Sequence, residues 1–204
     1  MAERENGKRQ ITENYERQKG QYLAEGYEEC QEVISIVKAN VMTFATAGPF
    51  AVLGMILWIL IGRYDARGFR GYDIVWFFVL LMLSVFIHEV LHGVGWSIWT
   101  RQKWKSIYLG VMWSSLTPYC HCKEPLSPRH YLFGALMPFG VLGIGIYILA
   151  VIMGSNLLLM LSLCNILCAG GDTTIACMMR KYLGRQDCYI LYHLTDCGFV
   201  AFVR

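Results

Sequence analysis

An all-α membrane protein of about four transmembrane helices, with a small cytoplasmic hairpin and short C-terminal strands, is the fold class predicted by three features of this sequence. Of its 204 residues, 55% are hydrophobic and only 16% charged, whereas a soluble domain carries about a quarter charged residues. The apolar residues gather into four runs, each near or above the roughly 20 residues that a bilayer core requires. The charged residues crowd instead into the first 38 positions and the connections between runs. A water-soluble core of this size could not hide such runs.

The runs place spans at about 40–62, 74–99, 131–153 and 156–179. They divide the chain into a charged cytoplasmic segment, 1–38, and a membrane-embedded unit, 39–204. No cleavable signal sequence is expected, because Glu, Lys, Arg and Gln fill the start of the chain. Pro49 and Pro138 fall inside spans, where they predict kinks. The connection 101–130 is rich in aromatic and β-favouring residues and holds Pro118, Pro125 and Pro128, so it predicts a hairpin or re-entrant element. The tail, 189–203, alternates loosely and predicts a strand pair.

Orientation follows from Lys and Arg. The N-terminal segment has six, the connection after span one three, that after span two five, the turn after span three none and the tail four. An inside N-terminus therefore puts fifteen on the cytoplasmic side and three outside, so both termini of this multi-pass cell-membrane protein are expected to be cytoplasmic. The net charge of +3 forms no aromatic-studded basic patch, which argues against nucleic-acid binding. The expected partners are the lipid bilayer and a peptide or membrane-protein substrate.

Span two contains His88-Glu89-Val90-Leu91-His92. Residues four apart on a helix share a face, so both imidazoles can reach one metal ion. Glu89, beside the first ligand, can take a proton from a metal-activated water. Ionisable groups inside a membrane helix are costly and usually functional. A catalytic zinc site wants three protein ligands and one open position. The extension that would supply a third histidine at position 98 fails, because residue 98 is isoleucine. The one glutamate after Glu89 is Glu124, in the proline-rich connection.

Asp172, in span four, is the other carboxylate within an apolar run. Spans two and four run in the same direction. At 1.5 Å per residue, His88 and Asp172 lie about 21 and 24 Å deep, on the cytoplasmic side of the midplane. Asp172 is thus the candidate third ligand; the alternative is that it caps a broken helix or bonds Thr173. Asn165, two turns earlier, is a candidate for positioning substrate or a ligand, with a helix–helix hydrogen bond as its alternative. Gly170 and Gly171 permit close backbone approach or a looser helix.

Of the eight cysteines none forms a CxxC pair. Cys120 and Cys122 flank His121; on a strand both thiols share a face, fit to bind a second metal, sense redox state or pack. Cys164, Cys168 and Cys177 read as small hydrophobes. His130 and His193 have no partners at telling spacings.

These blocks, HEVLHG, PYCHCKEPLSPRHYLFGALMPFGVLG and NILCAGGDTTIA, resemble a bacterial zincin-peptidase family of unknown function. Its members look like small relatives of site-2-type intramembrane metalloproteases. The resemblance covers about residues 70–204. It implies zinc as cofactor, with His88, His92 and Asp172 as ligands and Glu89 as catalytic base. Site-2 proteases present their aspartate in an Asn…Pro…Leu-Asp-Gly setting; here two glycines precede Asp172, threonine follows it, and no proline separates it from Asn165. The expected function is zinc-dependent hydrolysis of membrane-associated peptides near the cytoplasmic face. The alternatives are a non-proteolytic adaptor or pseudoenzyme with a structural metal, and a small metal or ion transporter. The latter would be helped by inverted repeats, which the sequence does not show.

Overall fold

The computed structural model describes residues 2–62, 68, 70–112, 117–192 and 197–204, the side chains of 2–11, Ile36, Met112, Thr117 and Cys197 excepted. The fold is mostly helical with small strands. Among the described residues, Val37–Ile61, Gly71–Ser97 and Pro128–Met153 are long and apolar enough to cross a membrane. A fourth such helix arises if Asn156–Cys168 and Gly170–Tyr182, bent by 44°, are taken together. The four apolar runs of the sequence correspond to these helices, with ends shifted by a few residues.

The first run is two helices, α2 (Ile36–Thr46) and α3 (Gly48–Ile61), which meet at Ala47 just before Pro49. Ser35 caps α2 by accepting from Lys38 N at 3.3 Å. The second run is one unbroken helix, α4 (Gly71–Ser97). Its start is fixed by Arg70 N donating to Asp73 Oδ2 at 2.8 Å. Helix α5 (Pro128–Pro138) opens on a proline, whose missing N–H costs nothing at a first turn. Pro138 then disturbs the ladder, and Phe139–Gly145 continues as π-helix before α6 (Ile146–Met153). The Ser162 hydroxyl donates to Gly143 O at 2.9 Å, meeting a carbonyl in that irregular stretch. Gly154, with φ of 64°, ends α6 in the left-handed region. Ser155 then caps α7 (Asn156–Cys168). Helix α8 (Gly170–Met179) follows after one residue, Ala169.

The outward faces of α3, α4 and α6 are apolar. Leu60, Trp76, Phe78, Phe86 and Ile152 all stand exposed there. These exposed apolar side chains lie on helices long and apolar enough to cross a membrane.

The strands lie together at one end. β2 (Ile107–Met112) and β3 (Thr117–Cys122) form the expected antiparallel hairpin. β4 (Cys188–Tyr192) and β5 (Cys197–Val203) form the expected tail pair. The sheet also has a third strand, β1 (Glu28–Ile34), which pairs antiparallel with β5 from Glu28↔Val203 to Ile34↔Cys197. The expectation of C-terminal strands alone was therefore one strand short. β1 reads Glu-Glu-Cys-Gln-Glu-Val-Ile and lacks apolar alternation, because it is an edge strand.

Central β5 is buried on both faces. Phe199, Ala201 and Val203 join the main core with Tyr131 and Tyr182. Val200 and Phe202 pack with Tyr15 on helix α1 (Ala2–Ala24). A strand covered on both sides has no polar face, which explains why the alternation in the tail was loose.

Three contacts tie this end together. Asn14 Nδ2 and Gln18 Nε2 on α1 both donate to Lys123 O, at 3.0 and 2.9 Å. Leu126 and Ile190 exchange backbone hydrogen bonds of 3.1 and 2.7 Å. Glu124 accepts from Arg101 N at 2.7 Å, from Gln102 N at 3.2 Å and from the Ser106 hydroxyl. Burial alone would raise the Glu124 carboxyl, but the Ser106 hydroxyl and the Arg101 and Gln102 N–H groups outweigh it and hold it below the usual carboxylate range. A carboxyl depressed by folding stabilises fully above its ordinary pKa, and that contribution is lost as pH falls through the folded value. Hydrogen-exchange protection of residues 101–106 is therefore expected to hold at neutral pH and to fall below about pH 4. Glu124→Gln is expected to abolish that acid dependence.

Candidate metal centre

Helix α4 presents His88 and His92 one turn apart, their ring centroids 4.8 Å from each other. Helix α8 brings Asp172 to them. His88 Nε2 lies 3.1 Å from Asp172 Oδ2, and His92 Nε2 lies 3.3 Å from Asp172 Oδ1. One ligand atom from each residue falls within 4.8 Å of the others, the single grouping of three such residues among those described. The 84 positions separating His88 from Asp172 are thus closed by tertiary packing.

The orientation of His92 is set by its surroundings. Its Nδ1 lies 3.0 Å from Gly134 O. A carbonyl only accepts, so Nδ1 carries the hydrogen and Nε2 is the nitrogen turned toward Asp172. The ring also stacks on Trp96, at 5.2 Å and 12°, and Trp96 Nε1 donates to Tyr131 O at 2.9 Å. Close packing of α4 on α5 permits this. A Cβ on Gly95 would lie 2.6 Å from Gly134 Cα, and one on Gly134 would lie 2.1 Å from Trp96 Cδ1. Gly95 is three residues past His92, so the glycine that follows the two-histidine pattern here lets α5 come near.

Do these residues fit a metal? His92 Nε2 and Asp172 Oδ1 lie 3.3 Å apart, close enough that one ion could take both as ligands once Nε2 is free of its proton. Asp172 Oδ2 is buried and, despite its closeness to His88, has no hydrogen-bond partner among the described residues. Two imidazoles and one carboxylate form a donor set suited to zinc. A histidine whose other ring nitrogen bonds a backbone carbonyl is the usual supporting arrangement for a metal ligand. The fit is good.

Glu89 lies beside this cluster, half-buried, and the Cys120 backbone N–H donates to its carboxylate. Strand β3 therefore borders the site.

The other predicted residues are placed differently. Asn165 is buried, but its Nδ2 donates to Leu161 O at 2.8 Å within its own helix. That nitrogen makes neither of the contacts expected of it. Cys120 and Cys122 share the buried face of β3, as the strand alternation required. Cys122 Sγ donates to Glu124 O at 3.4 Å. Burial pushes the Cys122 thiol up to about 12 and Cys120 higher still, which keeps both protonated in the protein as described. His121, on the opposite face, meets Tyr192 edge-on at 5.1 Å. Burial lowers its pKa to about 4, so it is neutral. His130 stacks flat on Trp99 at 3.9 Å. His193 lies outside the described residues. The role of Gly134 went unseen in the sequence because it acts through a backbone carbonyl and a missing side chain.

A two-histidine helix with an adjacent glutamate, met by a carboxylate from a later helix, defines the zincin class of metal site. A family model described as "Putative zincin peptidase" matches residues 81–184, about half of the chain, and the chain belongs to that family. The matched stretch includes His88, Glu89, His92 and Asp172. No curated protein and no solved structure matches the chain.

The Gly134 contact yields a prediction. Gly134→Ala forces a methyl into Trp96, and overpacking of this kind costs about 1–3 kcal/mol. The expected result is a lower unfolding temperature together with weaker metal binding, since Trp96 and Gly134 O both hold His92. Thermal unfolding with and without added zinc measures both.

Proposed function

We propose that this protein is a membrane-embedded zinc metallopeptidase that cleaves membrane-associated substrates near the cytoplasmic face. The observation that carries the reading is the meeting of His88, His92 and Asp172, with ligand atoms within 4.8 Å, next to Glu89. Zinc bound there supplies a Lewis acid that activates water and polarises a scissile carbonyl. His88, His92 and Asp172 hold it. Glu89 takes the proton of the attacking water and delivers it to the leaving amine. In an apolar bundle the Asp172 charge also offsets part of the charge of the ion.

Membrane embedding is supported by the three or four long apolar helices and their apolar outer faces. The proposed orientation puts the N-terminal segment, the 101–130 connection and the tail on the cytoplasmic side. Their mutual packing through β1, β5, Lys123 and Leu126 supports a shared side. A membrane-buried helical substrate hides its carbonyls in its own hydrogen bonds, so it must unwind before it is cut. We assign that task to the β2–β3 hairpin, which would hold an extended segment by strand addition. In support, one edge amide of β3, that of Cys120, already meets Glu89.

Glu89→Gln tests the reading. The variant is expected to keep its zinc and to cleave a panel of membrane-tethered peptides about 10²–10⁴-fold more slowly than wild type, the range lost with a general base. Equal cleavage by both proteins would remove catalysis from this site.

A further inference from the structure

Two of the long apolar helices are interrupted, and the interruptions face each other. α2 gives way to α3 at Ala47, and α7 gives way to α8 at Ala169, and both alanines are fully buried. A knot of hydroxyls joins them. Thr46 Oγ1 lies 2.8 Å from Thr173 Oγ1, 3.2 Å from Thr174 Oγ1 and 3.3 Å from Gly170 O. The Thr173 and Thr174 hydroxyls also reach Gly170 O, at 3.0 and 2.8 Å. One turn before Thr46, Thr43 presses on Gly170 so closely that a Cβ there would lie 2.1 Å from Thr43 Cγ2.

Residues 170, 173 and 174 share one face of α8, being three and four apart. Asp172 leaves the helix on another side, toward His88 and His92. We propose that Thr46 is a positioning residue: from α2 it pins the first turn of α8 so that the Asp172 carboxylate stays aimed at the two histidines. The proposal rests on the metal-site reading above and adds a residue that touches neither metal nor substrate. The Thr46 hydroxyl also lies 2.9 Å from Met42 O of its own helix; donating there, it keeps its lone pairs for the hydroxyls of α8, and the breaks at Ala47 and Ala169 flank this contact. The knot thereby converts a flexible helix break into a fixed ligand position.

The test measures zinc affinity of the purified full-length chain in detergent by competition with a chelator. Thr46→Val keeps the shape and removes the hydroxyl; it is expected to bind zinc about tenfold more weakly, the lower range for loss of a supporting contact. Thr46→Ser restores the hydroxyl and is expected to recover affinity to within about twofold of wild type. Thr173→Val removes the same knot from the α8 side, and serves if Thr46→Val does not fold. Wild-type affinity in the folded valine variants, even with reduced metal-free stability, overturns the proposal. His88→Ala and Asp172→Ala are run in parallel. If they too retain zinc, the metal site itself is wrong and the positioning role falls with it. If they lose zinc while the valine variants keep it, the positioning role alone is wrong.

Discussion

A carboxylate held against two imidazoles inside an apolar helical bundle is the constraint around which this fold is arranged. Such groups are expensive away from water unless each finds a partner. Asp172, His88 and His92 meet that demand in part, with Asp172 Oδ2 left for an ion to satisfy, and several neighbours hold them together. Gly95 and Gly134 let α5 approach until its carbonyl reaches His92. Trp96 stacks on the His92 ring and is itself tied to Tyr131. Thr43 and Thr46 brace the turn that bears Asp172.

A second set of contacts builds the end of the molecule that borders the site. Strand β5 is the centre of it, with β1 and β4 on either edge, α1 on one face and the helical core on the other. The hairpin joins this body through Lys123, Glu124 and Leu126. Its strand β3 then reaches Glu89 through Cys120. The charged N-terminal helix is thus linked mechanically, by one carbonyl and a few backbone bonds, to the strand beside the proposed catalytic base.

Much of this was legible in the sequence because its causes are local or repetitive. Run length revealed the apolar helices, prolines marked the irregularities after Ala47 and at Pro138, and helical spacing paired His88 with His92. Asp172 was found by a different argument, the rarity of charge in an apolar run combined with matching depth. What escaped has non-local causes. β1 looks like a solvated segment because an edge strand needs no apolar alternation; its pairing depends on a strand 163 to 175 residues away, as Ile34↔Cys197 and Glu28↔Val203 show. Asn165, seven residues before Asp172, lies on α7 while Asp172 lies on α8 beyond a 44° bend, and its amide nitrogen turns back to Leu161, neither of which spacing encodes. The contribution of Gly134 was invisible for the same reason, since it has no side chain to read. Thr43 and Thr46, three apart in the apolar second half of α2, were a visible signal for the knot beside Asp172, but its partner on α8 was not.

The central claim is that two histidines and one aspartate, with no cysteine, hold a single zinc ion. X-ray absorption at the zinc edge of the purified, zinc-loaded protein tests it most directly. The account predicts one zinc per chain in a shell of nitrogen and oxygen only, at about 2.0–2.2 Å, with the imidazole scattering of two histidines. A sulfur shell at about 2.3 Å would implicate Cys120 or Cys122. That result, or no bound metal at all, would contradict the site described above.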